Sequence, residues 1–296
     1  MAASPATTSS VGWQRYYDSG TLPWDTAAPS SQLQQYMRSC VYEGEDGSII
    51  FEPVELTAME PPASHTSSYH ICPRCSHMKP PSDGYTLELA CGTGSSSVYM
   101  GDLGLNSVGV DVMAGAVTTA RRIASDRGLT SGSCTFVQHD VFALPQPFTR
   151  QLALQLLETQ QENNSSPGET ASSPPSHQQQ EKLAAGTKTT APTNGKAFQF
   201  AYDCQAFHAL RAVDEKRYVS LLYSSLAPQA HLMLLVGNSD EPPVGPPVLS
   251  KEQIRSAFPP SQWKEIFILP SRFDRTPSYD KLSKNPLAWW VLLQRL

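Results

Sequence analysis

Tyr85-Thr-Leu-Glu-Leu-Ala-Cys-Gly-Thr-Gly94 followed by Asn106-Ser-Val-Gly-Val-Asp111 decides the fold. A short apolar run ends in a Gly-x-Gly turn, a helix-like segment follows, and a second apolar run stops on an aspartate. This strand–turn–helix–strand–acid order marks a nucleoside-binding α/β unit. Its glycines let backbone N–H groups approach a ligand, and its acid takes ribose hydroxyls.

The alternation continues on both sides of this stretch. Helical patterns are expected at about 95–103 and 113–127, and strands at about 85–90, 106–111 and 134–138. After an interruption, strands follow at 198–203 and 231–236 with a helix at about 213–226 between them. Ser250 is placed to cap another helix, and late strands are expected at 263–268 and 287–293. Alternating elements of this kind predict a Rossmann-like, doubly wound α/β sheet of seven strands. It should be mostly parallel, with an antiparallel C-terminal strand at one edge.

The interruption and the N-terminal third are read differently. Gln160–Pro167 and Ser172–Gln180 are rich in Gln, Ser and Pro. Such segments cannot bury enough apolar surface to offset ordering entropy, so about 160–195 is expected to be a disordered insertion. Residues 1–10 read as a disordered tail and 11–40 as an ordered segment, with a helix from about Ser30 burying Leu33, Tyr36 and Met37. Residues 41–83 read as an irregular insertion in which Ser48–Phe51 can form a short strand. The α/β domain then spans 84–296, interrupted by that insertion.

The 296 residues carry a formal charge of −5, which argues against a nucleic-acid partner, since phosphates call for a basic surface. No apolar run approaches the roughly 20 residues that cross a bilayer. The N-terminus has neither the basic nor the apolar region of a secretory signal. The six cysteines lack framework spacing. Together these predict a cytoplasmic, soluble protein. His70, Cys72, Cys75 and His77 include one Cys-x-x-Cys half-site for zinc. The second half would need histidines two residues outside each cysteine, and no metal is expected there.

Carboxylates recur where a ligand would sit in such a sheet: Glu88 in the first strand, then Asp111, Asp140 and Asp203 at the ends of the next three. A dinucleotide fingerprint fails, because Ser97 stands at the third glycine and Glu88 at an apolar strand position. A carboxylate there does nothing for a pyrophosphate, but it suits a ligand with an ammonium group. S-adenosyl-L-methionine has one and no phosphates. Leu87-Glu-Leu-Ala-Cys-Gly-Thr-Gly94, Val108-Gly-Val-Asp111 and Phe136-Val-Gln-His-Asp140-Val-Phe142 resemble the first three motifs of class I S-adenosylmethionine-dependent methyltransferases. The resemblance implies cofactor contacts from Glu88, Ala90, Gly92, Gly94, Asp111, Val112, Asp140, Val141 and Asp203. Ala90 stands where glycine is usual, and an ordinary backbone conformation is expected for it, with Gly92 and Gly94 making the turn.

Trp13-Gln-Arg-Tyr-Tyr17 through Pro23-Trp24-Asp25, with Phe200–His208 and Pro247–Ile254, resembles the thiopurine, thiol and halide methyltransferase group. There, aromatics of the entry segment cover the cofactor, which implies that role for Trp13, Tyr17 and Trp24. Aromatic faces also attract a sulfonium cation by about 0.5–2 kcal/mol. Trp24, Phe207 and His208 are the expected substrate pocket, and His208 the candidate to deprotonate or orient an acceptor. The acceptor expected is a small molecule, a thiol or related soft anion. Protein lysine or small-molecule O- or N-methylation, and a catalytically silent binding module, are the alternatives.

Overall fold

The computed structural model describes residues 5–53, 76–165, 197–241, 247–280 and 282–296. The central sheet runs through β3 (Tyr85–Leu89), β4 (Asn106–Asp111), β5 (Ser133–Gln138), β6 (Phe198–Cys204), β7 (Leu226–Asn238), β9 (Trp263–Arg272) and β10 (Leu287–Arg295). Their spatial order is β5-β4-β3-β6-β7-β10-β9, and the two-residue β8 (Val248–Leu249) pairs with β7. Five strands from β5 to β7 are parallel. β10 runs antiparallel to both β7 and β9. The C-terminal strand is therefore antiparallel as expected, but it lies one position in from the edge, which β9 occupies.

β7 and β10 explain why their sequences are nearly continuous apolar runs. Leu232, Leu234 and Val236, with Trp289, Val291 and Leu293, enter the core on one face. Met233 and Leu235, with Trp290 and Leu292, enter the core on the other. A strand covered on both faces loses the in–out alternation and becomes apolar throughout. Fully burying one such side chain contributes about 1.5–3 kcal/mol.

Helices α3 (Ser95–Asp102), α4 (Ala114–Arg127), α5 (Arg150–Ser165), α6 (Phe207–Ser225) and α7 (Lys251–Ala257) fill the crossovers. Ser250 closes a capping box on α7 by accepting the Gln253 N–H at 3.2 Å. α2 (Ser31–Arg38) is capped by Ser30 and buries Leu33, Tyr36 and Met37, the face expected from their spacing.

The N-terminal third holds more structure than its composition implies. α1 (Pro5–Ser19) begins inside the stretch read as a tail. Trp13, Tyr16 and Tyr17, three and four residues apart, share one face of it. Residues 39–53 are not irregular: β1 (Ser39–Glu43) and β2 (Ile49–Pro53) form an antiparallel hairpin. Phe51 anchors it by stacking on Trp290 at 4.6 Å between centroids. The zinc candidates His70, Cys72 and Cys75 lie outside the described residues, as does most of the insertion expected at 160–195. Among the described residues, no group of three or more His, Cys, Asp or Glu is placed to hold a metal. No helix among them is long and apolar enough to cross a membrane.

Candidate active site

The turn after β3 is shaped by three residues with left-handed backbone: Ala90 at φ 53°, Gly92 at φ 54° and Gly94 at φ 78°. The ordinary conformation expected for Ala90 is not the one observed. The left-handed region costs a Cβ-bearing residue roughly 1–2 kcal/mol, and the surrounding bonds hold Ala90 in it. The Cys91 N–H donates to the Val110 carbonyl at 3.0 Å, and the Gly94 N–H to the Cys91 carbonyl at 3.0 Å. Gly94 is required twice over, because a Cβ there would lie 2.7 Å from both Ala120 and Phe136. Its role is thus backbone geometry and close packing, and it lines neither cavity described next.

Over the carboxyl ends of β3, β4 and β5 lies a cavity of about 440 Å³. Ala90, Gly92, Asp111 and Asp140 contribute to its floor, with Val112, Val141 and Phe142 beside them. Its aromatic wall comes from α1 and the following loop: Trp13, Tyr16, Tyr17 and Trp24. Trp24 meets Trp13 and Tyr16 edge-on, each at 5.0 Å between centroids, and Tyr17 at 6.3 Å. The Trp24 loop is pinned on both sides. The Thr93 hydroxyl donates to Asp25 Oδ2 at 2.7 Å, and the Thr276 hydroxyl to the Pro23 carbonyl at 2.9 Å.

A second cavity of about 90 Å³ adjoins the first and shares Trp24, Ala90, Gly92, Cys204 and Gln205 with it. Glu88, Thr93, Ser95 and Ser96 line it. Glu88 is buried and accepts the Ser97 hydroxyl at 2.6 Å. Burial pushes its carboxyl up to about 8, against the opposing pull of that hydrogen bond. The buried Ser95 hydroxyl has no hydrogen-bond partner among the described residues.

Asp111 joins the two halves of the site. Its Oδ2 accepts the Gly92 N–H at 2.9 Å and its Oδ1 the Met113 N–H at 2.8 Å. Burial raises its pKa, and these bonds partly offset that rise. Asp140 caps the short helical turn after β5 by accepting the Phe142 N–H at 2.9 Å.

Two expected site residues lie beneath the wall instead. Asp203 Oδ1 accepts the Ala206 and Phe207 amides at 3.0 and 3.1 Å, and Oδ2 accepts the Tyr218 hydroxyl at 2.7 Å. It is buried at the start of α6, and burial raises its pKa to about 6. Both carboxylate oxygens thus serve the fold, and Asp203 lines neither cavity. Phe207 is fully buried, packed on Tyr218 and Phe258, and is likewise a core residue.

His208 does line the large cavity. Its Nδ1 accepts the Gly237 N–H at 3.0 Å, so a single proton sits on Nε2. Burial lowers its pKa to about 3, and the ring is neutral at physiological pH. Tyr16, Gln205 and Tyr279 also line the cavity and were missed. Tyr16 had a signal, lying three residues from Trp13 on one helical face. Gln205 had one too, lying inside the Phe200–His208 segment, whereas Tyr279 had none, since only the tertiary fold brings its loop here.

The donor set fits S-adenosylmethionine. A buried carboxylate and an unpartnered hydroxyl stand in the small polar cavity. It opens across a glycine turn into a larger cavity that pairs two carboxylates with apolar and aromatic walls. A family model described as a methyltransferase domain matches residues 86–163, the segment that runs from β3 into α5 and contains Glu88, Asp111 and Asp140. Residues 86–163 carry a methyltransferase domain. No curated protein matches it. Among solved structures, one from work on the conversion of a disulfide bond into a thioacetal group during echinomycin biosynthesis is similar in fold. Its TM-score is 0.52 at 16% identity, covering 93% of this chain and 85% of that one. A Methanosarcina mazei S-adenosylmethionine-dependent methyltransferase aligns at 13% identity and TM-score 0.48, over 74% of this chain and 96% of its own. Magnesium protoporphyrin IX methyltransferase from Synechocystis, solved with bound S-adenosylmethionine, aligns at 12% identity and TM-score 0.44, over 72% and 71%. The matched segment supplies the glycine turn and two acids, and the N-terminal segment before it supplies the aromatic wall, around one connected space.

Proposed function

We propose that this methyltransferase acts on a small nucleophile, a thiol or related soft anion. The supporting observation is the wall of the larger cavity. Apart from the carboxylates at its floor, it is built from aromatic and aliphatic side chains together with neutral polar ones. In this reading Asp111 holds the ribose hydroxyls and Asp140 the adenine amino group, with Val112 and Val141 against the base. Glu88 takes the ammonium group in the small cavity. When bound, the cofactor supplies a methyl group already activated by a positively charged sulfur.

The protein's own residues then have three tasks. Asp111, Gly92 and Glu88 fix position, which can account for much of a displacement barrier. Trp13, Tyr16, Tyr17 and Trp24 exclude water and present aromatic faces to positive charge. Leu210, Val213 and Phe142 offer the acceptor an apolar bed, where an anion stripped of water is a stronger nucleophile. A thiol with a pKa near 8.5 is partly ionised at neutral pH, and halide needs no base.

The test is S-adenosylhomocysteine release measured against thiols, sulfide, iodide and a mixed protein extract. Turnover with thiols or iodide supports the reading. Turnover confined to the protein extract would replace it with protein methylation.

A further inference from the structure

We infer that His208 is a fixed hydrogen-bond donor to the acceptor, presenting Nε2–H into the larger cavity, so that the acceptor enters already deprotonated. This rests on the proposed function and deepens it. The argument begins at Gly237. Its backbone N–H donates to His208 Nδ1 at 3.0 Å, and a nitrogen accepting that bond cannot carry a proton. The imidazole is therefore locked as the Nε2–H tautomer. Phe273 packs edge-on against the ring at 6.2 Å and limits its rotation. A ring held in this way can give a hydrogen bond to a ligand but cannot take its proton.

The other titratable side chains on the cavity wall do not fill the role of base. They are Tyr16, Tyr17, Asp111, Asp140, Cys204 and Tyr279. Asp111 accepts the Gly92 and Met113 amides and Asp140 the Phe142 amide, and in the proposed function their remaining lone pairs are taken by the ribose hydroxyls and adenine amino group of the bound cofactor. Burial raises the pKa of Tyr17, Cys204 and Tyr279, so each keeps its own proton at neutral pH. The proton of a thiol acceptor must then leave to solvent before the sulfur lone pair would bond to the methyl carbon, with that carbon's bond to the cofactor sulfur breaking, its electron pair staying on that sulfur, and S-adenosylhomocysteine as the leaving group. A donor aimed at that sulfur stabilises the anion and orients it.

The experiment uses the full chain with S-adenosylhomocysteine bound and 4-nitrobenzenethiol as probe. The absorbance of the probe reports its ionisation without turnover. His208→Asn keeps an acceptor for the Gly237 amide but does not reach the Nε2 position. His208→Gln reaches that position with an amide donor. Calorimetric binding of S-adenosylhomocysteine to each variant confirms that the cofactor cavity is intact. We expect the ionisation constant of the bound thiol to be about tenfold lower in His208→Asn than in the wild type, with partial recovery in His208→Gln. Equal ionisation constants in wild type and His208→Asn would overturn the donor role alone. Failure of the probe to bind the wild-type complex would overturn it together with the thiol reading.

Discussion

Asp111 Oδ2 accepts the Gly92 amide at 2.9 Å, so the carboxylate at the end of β4 holds the glycine turn that follows β3. One side chain thereby fixes the floor of the larger cavity and contributes a carboxylate to it. Asp111→Ala removes both functions. S-adenosylhomocysteine should bind about 1.5–3 kcal/mol more weakly, through lost charge-assisted hydrogen bonds. An unchanged dissociation constant by calorimetry would remove Asp111 from the ribose site.

Glu88 makes the stability of the ligand-free protein depend on pH. Its folded pKa of about 8 lies above its unfolded value of 4.5, so the folded state binds the proton more tightly. The stability it contributes is full below pH 4.5 and is lost as pH rises through about 8. Asp111 and Asp203 shift in the same direction, so the comparison must be with a variant. Thermal melts of Glu88→Gln should fall less steeply across that window than those of the wild type, and parallel curves would contradict the assignment.

Asp203 separates fold from site. Asp203→Ala strips the partners from two amides and the Tyr218 hydroxyl, and should cost about 2–4 kcal/mol in chemical denaturation. Well below its melting temperature, the variant should bind S-adenosylhomocysteine as the wild type does. A large loss of affinity in a folded sample would return Asp203 to the cofactor site.

These assignments mark where the sequence was legible. β3, β4 and β5 and the acids beside them could be read because each is a short apolar run bounded by turn residues, a local pattern. Position within the sheet was less accessible: β10 inserts between β7 and β9 through pairings that no periodicity encodes. The acid of Asp203 read the same as that of Asp140, because a carboxylate after a strand suits both a helix cap and a ligand. Only the path of the chain into α6 decides between them. Ala90 misled for the opposite reason. Alanine favours ordinary backbone, and bonds from Cys91 and Gly94 to neighbouring carbonyls override that preference.

Ala90→Gly follows from the same point. Relief of the left-handed strain should stabilise the protein by about 1 kcal/mol and raise Tm. A lower Tm would mean that the Ala90 methyl contributes more through packing than its backbone costs.

Trp24 should distinguish charge from shape. It touches both cavities and stands edge-on to Trp13 and Tyr16. Trp24→Ala should weaken binding of the cationic S-adenosylmethionine by about 0.5–2 kcal/mol more than binding of neutral-sulfur S-adenosylhomocysteine. Equal losses for the two ligands would assign Trp24 to packing alone.

Every role given to Glu88, Gly92 and Asp111 depends on a sulfonium nucleoside, or its demethylated product, occupying the two joined cavities. Isothermal titration of the full chain with S-adenosylhomocysteine reports this without knowledge of the acceptor. We predict saturable binding of one ligand per chain that competes with S-adenosylmethionine. A titration without saturable heat, on protein shown to be folded, would contradict it.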